Sequence, residues 1–398
     1  MKIILPAALA VCGILGGTIA EAAPGSDELT IWMKWDKNYV GMARIGEKFT
    51  AQTGIKVKVE HLEDLFERFR KDVSENKGPD IVLWAHDRIG EWAAAGLLTP
   101  LELSDETKIR FIDFTWNAMA YKDQIYGYPL SVEALGLICN KDLVRKVPTK
   151  FEEFIKLDNK LKSKGTRALL WDYNQAYFSW PLLSAQGGYS YQKINGIYDT
   201  EHPGINNEGM RKGFEFIRKL LEDGHVQRGA DYNMPEQQFS EGKLACTLNG
   251  PWAWAGYEQA GVNFEVYPLP SLGGQRGRAF VGIQGLVISS ASNLKDQARD
   301  FLENYLLTDD GLEDFSRDKD FGLAALKSFE NKQEKNLSQR ALVTMDGASF
   351  GEIMPSVPEM DLFWKVMDTA LKDVISGKKS SAEALAEAEK QLTAAATR

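Results

Sequence analysis

The chain has 398 residues, of which 44% are hydrophobic and 26% are charged, and its formal net charge is −9 at pH 7. These proportions are typical of a soluble globular protein, and the length is sufficient for two domains. The excess of acidic residues argues against a nucleic-acid partner.

The first 22 residues have the pattern of an export signal. Lys2 precedes an apolar stretch from Ile3 to about Ile19, and Ala20-Glu21-Ala22 follows as a small-x-small cleavage site. We therefore expect a secretory signal peptide, cleaved before Ala23, rather than a signal anchor. No later segment has the roughly 18 apolar residues that span a bilayer. The expected location of the mature chain is the periplasm.

Apolar strands and amphipathic helices alternate along the next part of the chain. The expected strands are Leu29–Trp35, Ile55–Val59, Ile81–Leu83, Ile125–Pro129 and Leu135–Cys139, with Ser131-Val132-Glu133 between the last two. The expected helices are Val40–Gln52, Glu63–Lys77 and one that follows Leu83 to about Ala95. This alternation predicts a parallel, doubly wound sheet.

The pattern then restarts, which favours a second α/β lobe. The expected helices are Phe151–Lys164, Gly209–Asp223, Leu294–Leu307 and a terminal helix that opens with a capping box at Ser380 and Glu383. The expected strands are Ala168–Trp171, Leu244–Leu248, Phe264–Tyr267 and Val281–Ser289. The economical interpretation is two α/β lobes joined by more than one crossing of the chain.

Cysteine and histidine residues indicate no metal site. Removal of the signal leaves Cys139 and Cys246, both in apolar runs, and we expect two buried thiols in preference to a disulfide. The four histidines show no ligand spacing. The sequence also contains no Gly-rich phosphate loop and no nucleophile elbow, so we expect no cofactor.

One short cluster combines groups suited to a polyhydroxylated ligand. Trp84, Asp87 and Arg88 directly follow the expected strand Ile81–Leu83. Ligands of open α/β sheets bind beyond the carboxyl ends of the strands. A tryptophan covers the C–H face of a sugar ring, and ionised groups form strong hydrogen bonds with its hydroxyls. Any single tryptophan is more often a packing residue than a ligand contact, so the argument depends on the charged residues beside it.

Paired carboxylates also allow a different hypothesis, that of a secreted glycosidase. That chemistry needs one carboxyl group held in its protonated form. Asp87 stands beside Arg88, and Asp36 beside Lys37, so both are expected to stay ionised. Ionised carboxylates accept hydrogen bonds, which favours binding over catalysis.

Several stretches, taken together, resemble the periplasmic maltose- and maltodextrin-binding proteins of bacterial ABC importers, which are extracellular solute-binding proteins. The similarity runs from about Leu29 to the C-terminal helix. The stretches that carry it include Thr53-Gly54-Ile55-Lys56-Val57, Gly78 to Arg88, Asn249-Gly250-Pro251-Trp252-Ala253-Trp254 and Gly351-Glu352-Ile353-Met354-Pro355.

The resemblance implies a fold of two α/β lobes that close by a hinge on a sugar bound between them. It implies an N-terminal lobe of residues 23–131 and 286–332, a C-terminal lobe of residues 136–281 and 339–398, and crossings near 132–135, 282–285 and 333–338. The ligand-binding residues that it implies are Asp36, Lys37, Glu67, Trp84, Ala85, Asp87, Arg88, Glu133, Tyr177, Tyr232, Trp252, Met354 and Trp364.

Departures from the family pattern fall at the ends of the expected groove. Trp35 and Lys34 replace a glycine and an asparagine of the family's best-known member. The other departures are Gln175 for a glutamate, Phe66 for an acid, Lys365 for a tyrosine and Asp368 for an arginine. Trp35 and Gln175 remain candidate ligand contacts.

The expected function is thus a non-enzymatic, monomeric receptor that delivers maltose or maltodextrins to an inner-membrane permease. A chemoreceptor is a further possible partner. Because the ends of the groove differ, another disaccharide or a cyclic glucan remains an alternative ligand, and the secreted glycosidase remains a remote one.

Overall fold

A computed structural model describes residues 28–34, 37–319, 321–333 and 339–397. The expected signal peptide, Trp35 and Asp36 lie outside the described residues. In chain order the described strands are β1 (Glu28–Met33), β2 (Lys56–His61), β3 (Ile81–Ala85), β4 (Ala120–Tyr121), β5 (Gln124–Ile125), β6 (Gly127–Ala134), β7 (Gly136–Asn140), β8 (Arg167–Leu170), β9 (Gln192–Ile194), β10 (Ile197–Asp199), β11 (Leu244–Asn249), β12 (Phe264–Tyr267), β13 (Ser271–Leu272), β14 (Gln275–Arg276), β15 (Phe280–Ile288), β16 (Leu323–Ala324) and β17 (Glu352–Ile353).

Helices cover both sheets. They are α1 (Tyr39–Thr53), α2 (Leu65–Ser74), α3 (Ile89–Ala94), α4 (Asp105–Ile109), α5 (Asp113–Ala118), α6 (Glu153–Leu161), α7 (Ala176–Ser184), α8 (Glu208–Glu222), α9 (Asn233–Ser240), α10 (Trp254–Gln259), α11 (Lys295–Asp300), α12 (Asp309–Ser316), α13 (Lys327–Gln333), α14 (Gln339–Phe350), α15 (Met360–Ile375) and α16 (Ser381–Ala396). Single 3₁₀ turns at His86–Arg88, Lys162–Lys164 and Pro251–Ala253 and a π-helical turn at Phe301–Leu306 complete the described helical structure.

The fold consists of two lobes, each with its own sheet and core. The larger sheet has the strand order β16-β6-β15-β3-β1-β2, with β17 paired to β15. The smaller sheet has the order β12-β7-β11-β8. One hydrophobic cluster draws on residues 29–132 and 281–329, and we call this part of the molecule the N-lobe. The other draws on residues 134–280 and 343–392, and we call it the C-lobe.

The larger sheet is mixed, and the sequence-based expectation of a parallel sheet was wrong for half of it. Strand β1 pairs in parallel with β2 and β3. Strand β15 pairs antiparallel with both β3 and β6, because the chain enters it from the C-lobe and runs in the opposite direction. Residues Ser131 to Glu133 belong to strand β6 and do not form a connection between two strands, which corrects that expectation.

Local sequence explains where the first helix begins to pack and where it ends. Helix α1 buries Met42, Ile45 and Phe49, which recur at the three- and four-residue spacing of one helix face. It ends at Gly54, whose φ of 78° lies in the left-handed region that glycine adopts readily. The N–H of Gly54 donates to the carbonyl of Thr50 at 2.9 Å and closes the last turn.

Cys139 and Cys246 form a disulfide, so the expectation of two free thiols was wrong. The two residues are direct partners in the antiparallel pairing of β7 with β11, and their Cα atoms are 4.1 Å apart. This pairing joins strands that are 107 residues apart in sequence, which the two short apolar runs alone did not reveal.

Candidate functional site

A cleft of about 790 Å³ lies between the two lobes. Its lining combines aromatic rings with ionised and amide side chains from both cores. The lining residues are Lys34, Lys37, Glu63, Leu83, Trp84, Ala85, Asp87, Arg88, Glu133, Gln175, Tyr177, Phe178, Tyr232, Asn233, Trp252, Gly282, Gln284, Met354, Trp364 and Asp368. The geometry thus offers stacking surfaces and hydrogen-bonding groups in one concave site.

The N-lobe wall is built at the carboxyl end of β3. This strand delivers Trp84 and Ala85, and the 3₁₀ turn that follows delivers Asp87 and Arg88. The ring of Trp84 packs against the buried Trp92 at a centroid distance of 6.4 Å. The ammonium group of Lys34 lies over the Trp84 ring, 5.1 Å from its centroid, so this aromatic surface carries a cation beside it.

A carboxylate at the base of the cleft is held by two donors. Glu133 is buried near the end of β6, and Lys37 donates to its Oε1 at 3.0 Å. The amide of Gln284 donates to Oε2 at 2.8 Å. Lys37 also lies over the ring of Trp252, 5.4 Å from the centroid. Glu133 therefore acts here as a hydrogen-bond acceptor in a fixed position.

Three rings from different segments form the aromatic side of the cleft. Tyr177 comes from the first turn of α7, Trp252 from a 3₁₀ turn and Trp364 from α15. The centroid of Tyr177 is 6.2 Å from that of Trp252 and 6.3 Å from that of Trp364. Burial raises the pKa of Tyr177 far above its usual value, so its hydroxyl is neutral.

Two contacts connect the lobes directly across the cleft. The indole N–H of Trp364, in the C-lobe, donates to Oδ2 of Asp87, in the N-lobe, at 3.1 Å. Arg88 donates from Nη1 to Oδ1 of Asp361, the second residue of α15, at 2.7 Å. The guanidinium also lies over the ring of Phe66, 4.1 Å from the centroid. The Arg88 guanidinium is therefore held at its edge by Asp361 and covered on its face by Phe66.

The C-lobe end of the cleft carries a carboxyl group in place of the arginine that the resemblance implied. Asp368 accepts a hydrogen bond from the backbone N–H of Ala176, at the start of α7, at 2.8 Å. Burial raises the pKa of Asp368 to about 6. Nearby, Gln175 donates from Nε2 to Asp172 at 2.6 Å, which orients its amide.

Most of the residues predicted from sequence line this cleft, and one does not. The lining includes Lys37, Trp84, Ala85, Asp87, Arg88, Glu133, Gln175, Tyr177, Tyr232, Trp252, Met354 and Trp364. Glu67 lies outside the lining, with 73% of its side chain exposed and Arg70 at 3.9 Å. Trp35 and Asp36 are among the residues that the structure does not describe.

Some lining residues were not predicted as ligand contacts. Examples are Glu63, Phe178, Asn233 and Gln284. They were not predicted because each lies on a loop, helix or central strand whose local sequence carries no signal of a binding site. Phe178 and Asn233 are neighbours of predicted residues, which is the only signal that the sequence contained. Lys365, noted as a departure, is not among the lining residues: its side chain is 64% exposed and its ammonium contacts Asp361.

The described part of the chain contains no group of three or more histidine, cysteine, aspartate and glutamate residues arranged to hold a metal ion. No helix within the described ranges is both long and apolar enough to cross a membrane.

Comparison with known proteins agrees with this architecture. The chain is 29% identical over 397 residues to a galactooligosaccharide-binding protein of Bacillus subtilis (strain 168), covering 96% of this chain and 92% of the relative. It is 26% identical over 369 residues to a maltotriose-binding protein of Pyrococcus abyssi, covering 90% and 80%. It is 29% identical over 355 residues to a maltodextrin-binding protein of Bacillus subtilis (strain 168), covering 85% and 82%.

A family model described as bacterial extracellular solute-binding protein matches residues 44–342. That span includes most of the N-lobe and most of the C-lobe, together with the greater part of the cleft. The chain therefore belongs to the bacterial extracellular solute-binding protein family.

Proposed function

We propose that this protein is the periplasmic receptor of an ABC importer and binds maltose or a short maltodextrin between its lobes. The observation that carries the proposal is the cleft itself, in which tryptophan and tyrosine rings stand beside carboxylates and amides already held by hydrogen bonds. Apolar ring faces with fixed acceptors suit a sugar, whose rings have C–H faces and hydroxyl edges. Two relatives are named for maltotriose and maltodextrin binding.

In this proposal the ligand closes the lobes, and the closed form docks transiently on a membrane permease. The receptor acts as a monomer, and a chemoreceptor is its second proposed docking partner. The separate cores support lobe boundaries near those of the sequence analysis, with the chain passing from β6 to β7 at Leu135 and returning along β15. The third expected crossing, near 333–338, falls almost wholly outside the described residues.

A galactose-containing oligosaccharide is the second candidate ligand. A relative that matches 96% of this chain is named for binding galactooligosaccharides. The cleft lining also includes Lys34, Gln175 and Asp368, which depart from the maltodextrin pattern. Calorimetric titration with maltotriose, a cyclodextrin and a β-linked galactotriose separates these candidates. If only galactotriose releases heat, the assigned ligand changes from a maltodextrin to a galactose-containing oligosaccharide. If none of the three sugars releases heat, the sugar-receptor proposal is refuted.

We propose that the cleft binds and releases its ligand without chemistry. The carboxylate of Asp87 accepts a hydrogen bond from Trp364, and that of Glu133 accepts one from Lys37. Both carboxylates therefore act as oriented hydrogen-bond acceptors. Incubation with maltotetraose followed by product analysis should return the sugar intact. Shorter products would favour the secreted glycosidase instead.

The stacking residues give the proposal a mutational test. We expect Trp252→Ala and Trp84→Ala each to weaken binding by roughly 2–4 kcal/mol, because a large ring is lost inside a desolvated cleft. Titration of the sugar that binds the wild-type chain measures this loss. Phe350→Ala, which removes an exposed ring outside the cleft lining, should leave affinity within twofold. Unchanged affinity in both tryptophan variants would contradict the assigned site.

A further inference from the structure

The contact between Arg88 and Asp361 joins the two lobes through residues that are 273 positions apart. Arg88 follows β3 in the N-lobe, and Asp361 lies in the first turn of α15, whose neighbours Met360 and Phe363 are part of the C-lobe core. Both side chains are mostly buried, with exposed fractions of 15% and 21%. A charge-assisted hydrogen bond in such surroundings is strong and directional.

The guanidinium of Arg88 has its other sides occupied as well. Its Nε lies 3.4 Å from Oδ2 of Asp87 and is buried without a well-formed hydrogen bond. Its Nη1 is 3.6 Å from Glu91, and its plane lies 4.1 Å from the Phe66 ring centroid. These neighbours belong to the N-lobe, so Asp361 is the partner that makes Arg88 a bridge between lobes.

Asp361 is itself oriented by a second cation. Its Oδ2 accepts from Lys365, one turn along α15, at 2.6 Å, while Oδ1 remains for Arg88. Lys365 is 64% exposed, and an exposed ion pair within one helix contributes little. One oxygen of Asp361 thus makes a surface contact with Lys365, and the other makes the inter-lobe contact with Arg88. A variant of Lys365 removes only the surface contact and is therefore a matched control.

We propose that Asp361 is a positioning residue that holds Arg88 at the wall of the cleft and stabilises the closed arrangement of the lobes. This inference rests on the proposed function of a receptor that closes on its ligand. In it, Arg88 acts on affinity through its bond to Asp361. Since the apparent affinity is proportional to the fraction of the protein that is closed, loss of that bond lowers affinity by the factor by which it lowers this fraction.

A distance measurement tests the proposal without any sugar. Nitroxide labels on Asp64→Cys and Asn233→Cys stand on exposed residues of opposite lobes, next to or within the cleft lining. Double electron–electron resonance of the ligand-free protein should give longer distances in Asp361→Ala, which removes both acceptor oxygens, than in the otherwise wild-type chain. Lys365→Met should leave the distances unchanged. Identical distance distributions in Asp361→Ala and wild type would overturn the proposal.

A double-mutant cycle provides the second test, with maltotriose and galactotriose as the probes. Asp361→Ala and Arg88→Met should each weaken affinity roughly tenfold, and the double variant should be no weaker than either single variant. Asp361→Glu should recover most of the loss, and Lys365→Met should stay within twofold. Multiplying losses would show that Arg88 acts independently of Asp361 and would overturn the proposal.

The outcomes keep this inference distinct from the proposed function. If neither probe binds the wild-type chain, the sugar assignment fails while the distance measurement still decides the role of Asp361. Circular dichroism of every variant checks folding, and Asp361→Asn, which removes the charge but keeps the side-chain volume, takes the place of Asp361→Ala if that variant is poorly folded.

Discussion

At the scale of single residues, Asp368 is the ionisable group of the cleft whose pH response is most readily tested. Burial raises its pKa from 3.8 to about 6, so the folded protein binds a proton here more readily than the unfolded chain does. Above pH 6 the folded state carries a disfavoured charge, and the cost disappears as the pH falls towards 4. Asp368→Asn removes that charge and keeps an oxygen for the N–H of Ala176.

We therefore expect Asp368→Asn to raise the free energy of unfolding at pH 8 by on the order of 2 kcal/mol and to leave it almost unchanged at pH 4. Urea titrations at the two pH values measure both quantities. Asp123→Asn, at an exposed turn position, is the control for the exchange of aspartate for asparagine itself. An equal effect of Asp368→Asn at pH 4 and pH 8 would contradict the assigned cause.

The residues that sequence reasoning placed in the cleft share one property: each could be identified from its immediate neighbours or from a family pattern. Trp84 and Asp87 directly follow an apolar strand, and Trp252 follows a glycine and a proline. Asp361 had no such signal, because its role depends on Arg88, 273 positions away. Contacts at that separation exist only after both lobes have formed, so local patterns do not predict them.

At the scale of elements, periodicity predicted the longer strands and the helices α1, α2, α8 and α16, but it missed the long helices α14 and α15 and the pairing of the strands. The apolar runs at β7 and β11 were recognised as strands, yet their direct register was not. Short elements such as α4, α5 and the hairpin of β9 and β10 were also missed, since three to six residues carry too little periodicity. The antiparallel direction of β15 follows from the return of the chain, which local propensity does not encode.

The disulfide between β7 and β11 gives a prediction at this scale. It closes a loop of more than 100 residues and so removes much of the conformational freedom of the unfolded chain. We expect Cys139→Ala with Cys246→Ala to lower the free energy of unfolding by about 4 kcal/mol, measured by urea titration.

Two further measurements control for cavity formation and for the pairing itself. Wild-type protein reduced before the titration should lose a similar amount of stability, because it loses the same cross-link without losing side-chain volume. Non-reducing peptide mapping should recover the fragments that contain Cys139 and Cys246 as one linked species. Separate fragments with free thiols would refute the pairing and restore the sequence-based expectation.

At the scale of the whole molecule, the two-lobe α/β fold was predictable because the alternating pattern starts twice and the resemblance extends along the chain. The contacts that join distant segments could not be predicted from the sequence, and a buried histidine shows why. His86 lies between the cleft residues Ala85 and Asp87, and its ring is completely buried. It contacts the backbone of Ile283 on β15 and of Met354 beyond β17, so one side chain ties three distant segments together.

The hydrogen bonds of His86 define its protonation state. The N–H of Ile283 donates to Nδ1 at 3.0 Å, so Nδ1 carries no proton, and Nε2 donates to the carbonyl of Met354 at 2.7 Å. Burial lowers the pKa of His86, and the folded protein keeps the ring neutral. The unfolded chain binds a proton near pH 6.5. The resulting contribution to stability is complete above pH 6.5 and declines as the pH falls below that value.

His86 and Asp368 thus act on stability with opposite signs over an overlapping pH range, and only comparison with variants separates them. We expect His86→Gln to lower the free energy of unfolding by roughly 2–4 kcal/mol at pH 8, because two buried backbone groups lose their partner. The difference in the free energy of unfolding between the wild-type chain and the variant should shrink between pH 7 and pH 5. Over this range only the wild-type chain is destabilised, because its unfolded form gains a proton on His86 that the folded form does not bind. His202→Gln, at an exposed position, is the control for the substitution itself and should change the free energy of unfolding at pH 8 by less than about 0.5 kcal/mol. A deficit that stays constant from pH 8 to pH 5 would show that His86 contributes only its contacts and not its ionisation.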